Sequence, residues 1–129
     1  MRQKLIKKID RLFSEYIRRK HADKNGYCTC ITCGKTYHYK DIDAGHFVSR
    51  RHLIVRFDEL NVHPQCKRCN RFLNGLAYEY GKAIDMLYGK GTADKLVSLS
   101  KQTTKIENQE LEEKYLDYKK KLITLRKQL

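Results

Sequence analysis

The stretch that decides the fold lies between two matched cysteine pairs, CITC at residues 30–33 and CKRC at residues 66–69. Each pair has the spacing at which a tight turn directs both sulfurs at one tetrahedral ion. Four thiolate ligands leave no open coordination position, which is typical of structural rather than catalytic zinc. The sequence therefore predicts one structural zinc ion bound by Cys30, Cys33, Cys66 and Cys69. The fifth cysteine, Cys28, could replace Cys30, but its longer spacing from Cys33 fits less well.

The 129 residues allow one ordinary domain, which we predict to be of the α+β class and to span residues 1–129. Residues 1–24 should form an N-terminal helix, because apolar side chains recur there at steps of three and four. Residues 25–88 should form a zinc-clamped core, a β-hairpin followed by a helix, and residues 92–129 a C-terminal helical extension. Apolar burial alone cannot hold so small a core, so bound zinc should supply much of its folding free energy.

Helical periodicity returns after the second cysteine pair. It predicts a helix from Arg71 to Tyr88, followed by a short helix for which Thr92 is a candidate N-cap. The segment TKIE at residues 104–107 matches a capping box at the start of a long charged helix. That helix carries a heptad-like apolar seam formed by Leu111, Tyr115, Tyr118, Leu122, Leu125 and Leu129. The seam could pack onto the N-terminal helix or join two copies in a homodimer, and its spacing leaves both open.

The chain is strongly basic, with 28 Lys and Arg residues against 15 Asp and Glu residues and a formal net charge of +13. Such a field attracts phosphate backbones without specifying a base sequence. Nucleic acid is therefore a candidate partner, although a merely soluble basic protein has the same composition. The sequence lacks both a long apolar run and the unbroken apolar region of a signal peptide. We accordingly expect a cytoplasmic protein with no membrane partner, in which clustered cysteines bind metal rather than form disulfides.

Between the cysteine pairs, Asp43 and His46 lie in the segment DAGHF, Asn61 precedes the second pair, and Asn70 directly follows it. This order, together with the zinc context, resembles the HNH or ββα-metal nucleases, and in particular the phage endonuclease VII family of junction-cleaving enzymes. The chain is more closely similar to the phage NinG (Rap) recombination protein family. That resemblance is carried by CITCG, DAGHF, RFDELNVHPQCKRCN, LNG and the tyrosine-rich helix ending in YG, and it covers about residues 4–125.

The resemblance implies a metal-dependent DNA endonuclease with a ββα-metal core, encoded by a phage or prophage and acting in the bacterial host cell. Branched recombination intermediates such as Holliday junctions and D-loops are the implied substrates. His46 is implied as the general base, Asp43 and Asn70 as ligands of a catalytic Mg²⁺ or Mn²⁺ ion, and Asn61 as the asparagine that holds the loop and orients the histidine. A neutral imidazole suits a base, and carboxylate and amide oxygens suit hard cations. The commonest HNH pattern has His where Asn70 stands, a departure that favours Mg²⁺ or Mn²⁺ over softer metals.

Several of these residues keep a second interpretation. Asp43 and Asn61 could be turn residues, and Asn70 could cap the helix that follows it. The candidate DNA contacts are Arg50, Arg51 and Arg56. They are basic side chains that phosphates would attract, but they could equally form a solvated loop. His63 could reach the site, and Asn74 would lie one helical turn beyond Asn70 on the same face.

Two other functions share the same sequence features. One is a non-catalytic, zinc-stabilised module that only binds DNA, and the other is an HNH nickase that acts on linear duplex. Cleavage on addition of Mg²⁺ separates an enzyme from a binding module. A comparison of linear and four-way DNA separates the two enzymes.

Overall fold

The computed structural model describes residues 1–128 and confirms a mixed α+β fold with helices and small sheets. The regular helices are α1 (Arg2–Lys20), α2 (Leu53–Arg56), α3 (Ala77–Tyr88), α4 (Thr92–Ser100) and α5 (Asn108–Arg126). A 3₁₀ turn spans Tyr39–Asp41, and a π-helical turn spans Arg68–Phe72. The strands are β1 (Tyr27–Thr29), β2 (Thr36–His38), β3 (Asp43–His46) and β4 (Val62–Gln65). Within residues 1–128, no helix combines the length and apolar character needed to cross a bilayer.

The strands form two antiparallel pairs, and each strand pair adjoins one of the two cysteine pairs. β1 pairs with β2, and the chain between them contains Cys30 and Cys33. β3 pairs with β4 from Asp43 opposite Gln65 to His46 opposite Val62. Because β4 ends directly before Cys66, the second cysteine pair is attached to the strand that lies beside Asp43.

The two long helices pack against each other and form the largest apolar cluster. α1 contributes Ile6, Ile9, Phe13 and Ile17, all of them buried. From the seam of α5, Leu111 and Tyr118 belong to the same cluster, and the Phe13 and Tyr118 rings meet edge to face with centroids 4.9 Å apart. Leu111, Tyr115 and Tyr118 of the predicted seam therefore pack with α1 in one apolar cluster within one chain. The last residue of the seam, Leu129, lies outside the described residues.

The continuous helix predicted from Arg71 to Tyr88 is wrong in its first third, because α3 begins only at Ala77. Asn74, Gly75 and Leu76 all have positive φ, at 57°, 86° and 48°, so the backbone leaves the π-helical turn and re-enters a helix only at Ala77. The spacing of the apolar residues stays helical through residues 74–76, so it does not predict this break. Side-chain periodicity carries no information about which residues adopt a left-handed backbone conformation. Asn74 therefore does not lie one helical turn beyond Asn70.

Two predicted helix starts are also displaced. The N-cap of α4 is Gly91, and the Thr92 hydroxyl donates to the carbonyl of Gly89 instead of capping the helix. α5 begins at Asn108 with Glu107 as its N-cap, so the TKIE segment precedes the helix and does not form a capping box. Propensity-based cap assignments shift by a few residues when tertiary contacts decide where a helix can begin.

Candidate active site

The four cysteines predicted to bind zinc are confirmed to lie together. Their sulfur atoms all lie within 4.8 Å of one another. A tetrahedral zinc ion with Zn–S bonds of about 2.3 Å separates its sulfurs by about 3.8 Å. The Sγ atoms of Cys33 and Cys66 are 3.8 Å apart, which matches that separation. The cluster therefore fits a structural metal such as zinc in both ligand chemistry and geometry.

Backbone amides point at the sulfurs, as expected for metal-bound thiolates. The amide of Cys66 donates to Cys30 Sγ at 3.2 Å, and that of Cys69 donates to Cys66 Sγ at 3.5 Å. Burial raises the pKa of the Cys30 thiol, but hydrogen bonds from Cys66 and Thr32 outweigh burial and bring the pKa down to about 6. These donors favour the thiolate form that binds metal.

Cys28 lies outside the metal cluster, although it is also buried. Its thiol donates to the backbone carbonyl of Arg18 at 3.1 Å, and burial raises its pKa to about 11. A protonated thiol that is already a hydrogen-bond donor is neither a ligand nor a nucleophile. The alternative in which Cys28 replaces Cys30 is therefore wrong.

A cleft of about 670 Å³ gathers three of the acidic, imidazole and amide side chains singled out in the sequence, Asp43, His46 and Asn70, whereas Asn61 does not line it. Asp43 and His46 enter it from the two ends of β3, and Asn70 enters it from the π-helical turn. The basic residues of the cleft come from four segments of the chain: Arg18, Lys40, Arg50, Lys67 and Arg71. We call this surface the basic cleft. Its cationic rim complements a phosphate backbone, and its acidic floor complements a cation.

The floor of the basic cleft is organised around the Asp43 carboxylate. The amide nitrogen of Asn70 donates to Asp43 Oδ2 at 2.9 Å, which leaves the amide oxygen of Asn70 as an acceptor. Arg71 binds the same carboxylate through both ends of its guanidinium, at 2.9 and 3.0 Å. The Arg71 side chain is 60% exposed and can move aside, so the carboxylate and amide oxygens fit a hard divalent cation in donor chemistry.

Arg71 is a site residue that the sequence analysis missed. Its only sequence signal was its position directly after Asn70, because nothing in the spacing linked it to Asp43. The pairing requires β4 and the π-helical turn to bring residues 43 and 71 together.

His46 is held in a defined tautomer. Its Nε2 atom lies 2.9 Å from the backbone carbonyl of Arg56. A carbonyl oxygen can only accept, so Nε2 carries the proton and Nδ1 keeps its lone pair. Burial lowers the pKa of His46 below its ordinary value, and the Arg56 carbonyl only partly opposes this shift. The imidazole is therefore neutral near pH 7 and presents a basic nitrogen.

Asn61 closes the loop that joins β3 to β4. It is fully buried, and its Oδ1 accepts from the Val48 amide at 2.8 Å. Its Nδ2 donates to the carbonyls of Val48 and Val55 at 3.0 and 3.1 Å. The loop held in this way contains Arg56, whose carbonyl orients His46.

The three candidate DNA-contacting arginines differ in their surroundings. Arg50 and Arg51 are exposed, and Arg50 lines the basic cleft. The Arg56 guanidinium is bound to Asp10 of α1 and donates to the carbonyl of Arg50. Arg56 therefore fastens the loop to α1, and the two exposed arginines are the ones that phosphates can reach.

His63 lies on the face of the β3–β4 pair opposite to that of His46, and it does not line the basic cleft. Its Nδ1 is 3.2 Å from the Tyr80 hydroxyl, and its Nε2 is 2.7 Å from the Tyr88 hydroxyl. The Tyr80 hydroxyl donates to the carbonyl of Gly45 at 2.6 Å, so it accepts from His63 Nδ1–H. Burial lowers the pKa of His63 to about 4 and keeps it neutral, so His63 acts as a structural link between β4 and α3.

The fold and site define a class: an α+β protein clamped by a four-cysteine metal cluster, with a basic cleft that gathers a carboxylate, an amide and a neutral imidazole. Residues 1–128 match the family described as Bacteriophage Lambda NinG protein, and the chain belongs to this family. It is 31% identical over 94 residues to the protein ninG of Escherichia phage 933W and to that of Salmonella phage P22, and 30% identical to that of Escherichia phage lambda.

Each of these alignments covers 72% of this chain and 44% of the relative. The chain therefore spans less than half the length of the curated relatives it matches. No solved structure matches the chain.

Proposed function

We propose that the chain is a metal-dependent DNA endonuclease of the HNH, or ββα-metal, type. The observation that carries the proposal is the convergence of Asp43, His46 and Asn70 in one basic cleft. The order of elements supports it, because strand, loop, strand and helical turn follow one another from β3 to the π-helical turn. Asn61 lies immediately before the second strand, where its hydrogen bonds close the loop.

In this proposal His46 is the general base. Its Nδ1 lone pair accepts the proton of the attacking water, while Nε2–H remains bound to the Arg56 carbonyl. The lowered pKa keeps the imidazole neutral at physiological pH, so no proton has to be removed before the reaction begins. Positioned bases of this kind contribute about 10²–10⁴-fold to rate.

Asp43 and Asn70 would hold a divalent ion through hard oxygen ligands, with Mg²⁺ or Mn²⁺ as the metals of choice. Such an ion supplies orientation of the phosphate and stabilises negative charge on the leaving oxygen. The cysteine cluster plays a separate, structural role, because four thiolates leave no position for water or substrate.

DNA is the proposed substrate because the rim of the basic cleft is cationic and the chain has a formal net charge of +13. Lys40, Arg50 and Lys67 are exposed on that rim and can contact successive phosphates. We extend the proposal to branched recombination intermediates on the strength of the family resemblance. The cleft itself supports backbone binding, which carries no sequence information.

The test compares wild type with His46→Ala on end-labelled linear and four-way DNA, with and without Mg²⁺ or Mn²⁺. His52→Ala is the matched control, because His52 precedes α2 and does not line the basic cleft. We expect metal-dependent cleavage by wild type and by the control, and a loss of about 10²–10⁴-fold in His46→Ala. Circular dichroism, bound zinc and DNA affinity should stay unchanged in that variant.

Two results would contradict parts of the proposal. A wild-type protein that binds DNA but cleaves neither substrate with either metal is a DNA-binding module, not a nuclease. Equal or faster nicking of linear duplex would refute the branched-substrate part and leave the hydrolytic part intact.

A further inference from the structure

Two large apolar side chains project from the turn that follows the second cysteine pair. Phe72 is 79% exposed and Leu73 is 37% exposed. They directly follow Arg71, which lines the basic cleft and binds Asp43. An exposed Phe that adjoins an exposed Leu beside a proposed substrate site is informative, because apolar patches, unlike apolar residues scattered singly, mark interaction sites.

This apolar tip is rigid rather than a loose loop. The amide of Leu73 donates to the carbonyl of Arg68, and the amide of Gly75 donates to that of Cys69, at 2.9 and 2.8 Å. The buried Gln65 side chain also donates to the Gly75 carbonyl at 2.8 Å. The turn is therefore fastened both to a zinc-ligating cysteine and to β4.

The backbone behind the tip adopts an uncommon conformation. Leu76 has φ of 48°, a left-handed value that leucine rarely adopts, and it follows Asn74 and Gly75 in the same region. These three residues reverse the chain between the π-helical turn and α3. Such strain persists where the surrounding structure over-determines it, and it clusters at functional sites.

The charges around the tip indicate what it contacts. Lys67, Arg68 and Arg71 are all exposed within five residues of Phe72, Lys67 as the N-cap of the π-helical turn and the two arginines within the turn. A partner that satisfies this surface must offer negative charges beside a flat apolar face. A nucleotide whose base has left the stack combines both, because its phosphate pairs with cations and its base stacks on an aromatic ring.

We propose that Phe72 and Leu73 form an apolar wedge that stacks against an unstacked nucleobase of the DNA held in the basic cleft. This inference rests on the proposed function only in requiring DNA in that cleft. It assigns to the wedge a preference for DNA with unpaired bases, in addition to the phosphate contacts that any duplex provides.

The test measures binding by fluorescence anisotropy in buffer without added divalent metal, so that cleavage plays no part. The probes are a fully paired duplex and the same duplex with a short single-stranded bulge that contains 2-aminopurine. We expect wild type to bind the bulged probe more tightly and to increase the 2-aminopurine fluorescence as the base unstacks. Phe72→Ala should weaken binding to the bulged probe by roughly tenfold and leave the paired duplex within about twofold.

Met86→Ala is the matched control, because Met86 is 89% exposed on α3 and does not line the basic cleft. It should behave as wild type on both probes. Phe72→Trp, unlike Phe72→Ala, should keep the preference for the bulged probe over the paired duplex, since indole also stacks on bases. Both Phe72 variants should keep zinc and thermal stability, because the ring they alter is mostly in solvent.

Equal loss of affinity for both probes in Phe72→Ala would overturn the wedge, and so would no change on either probe. If Phe72→Ala changes binding to neither probe, the exposed Phe72 ring is better explained as a contact for a protein partner. Failure of the nuclease proposal is distinguishable, because it appears as absent cleavage while the difference between the two probes persists.

Discussion

Replacing Asn61 by alanine should destabilise the protein because it removes the side chain that closes the loop between β3 and β4. Three hydrogen bonds are lost, one from the Val48 amide and two to the carbonyls of Val48 and Val55. Asn61 is fully buried and Val55 is buried beside it, so water cannot replace the bond to the Val55 carbonyl. Val48 is only half-buried, and water can partly rehydrate its two backbone groups.

An unsatisfied buried polar group costs about 1–3 kcal/mol, and a partly hydrated one costs less. The three groups together predict a loss of about 2–4 kcal/mol in the free energy of unfolding. The loop also holds the Arg56 carbonyl that accepts from His46 Nε2–H. Any cleavage activity should therefore fall by more than the loss of folded protein explains, measured at a temperature where the variant is folded.

Urea unfolding followed by circular dichroism measures the change, with Leu60→Ala as the neighbouring control. Leu60 is 39% exposed, so its truncation should change stability by about 0.5 kcal/mol or less. A loss below about 1 kcal/mol in Asn61→Ala would refute the assignment of loop closure to this side chain.

The pH dependence of Asn61→Asp provides an independent check. The new carboxylate can still accept from the Val48 amide, but it faces two carbonyl oxygens that offer no proton. Burial and these acceptors should raise its folded-state pKa above the unfolded value. The folded state then binds more protons, so this variant should recover stability as pH falls through the raised pKa. A pH dependence identical to that of wild type would contradict the geometry.

The structure supports two further predictions. Cys66→Ser should lose zinc, measured by elemental analysis, and should unfold under conditions where Cys28→Ser keeps both zinc and its fold. Only the first substitution removes a ligand of the cluster. Zinc retained at the wild-type level in Cys66→Ser would refute the ligand set. The Arg126 side chain, and secondarily Arg19, lower the pKa of Glu15 to about 2 against the opposing effect of burial. Because the folded pKa lies below the unfolded one, this stabilisation is complete above about pH 5 and disappears as pH falls toward 2. Acid titration of stability in Arg126→Ala should show a shallower loss in that window, and an unchanged slope would count against the pair.

The sequence alone predicted the features that depend on short-range pattern. Two Cys-x-x-Cys pairs define a tetrahedral thiolate site whatever lies between them, because ligand spacing within a turn is local. The apolar stripe that became α1 and the seam on α5 follow from helical periodicity in the same way. Asp43, His46 and Asn70 were implied by the family resemblance that their order around the cysteines carries, and the fold brings them into one cleft.

The tertiary structure decided everything that depends on which surfaces meet. Only the contact with α1 shows that the α5 seam is used within the chain, since a heptad pattern is the same for either partner. Only the approach of the π-helical turn to β3 pairs Arg71 with Asp43. The strand register gives the sharpest example. Gly45 pairs with His63 and His46 with Val62, so the two histidines point to opposite faces of the β3–β4 pair. His46 therefore lines the basic cleft, and His63 contacts the Tyr80 hydroxyl, because side chains alternate along a strand. The register that places each histidine depends on long-range packing, which the sequence does not show.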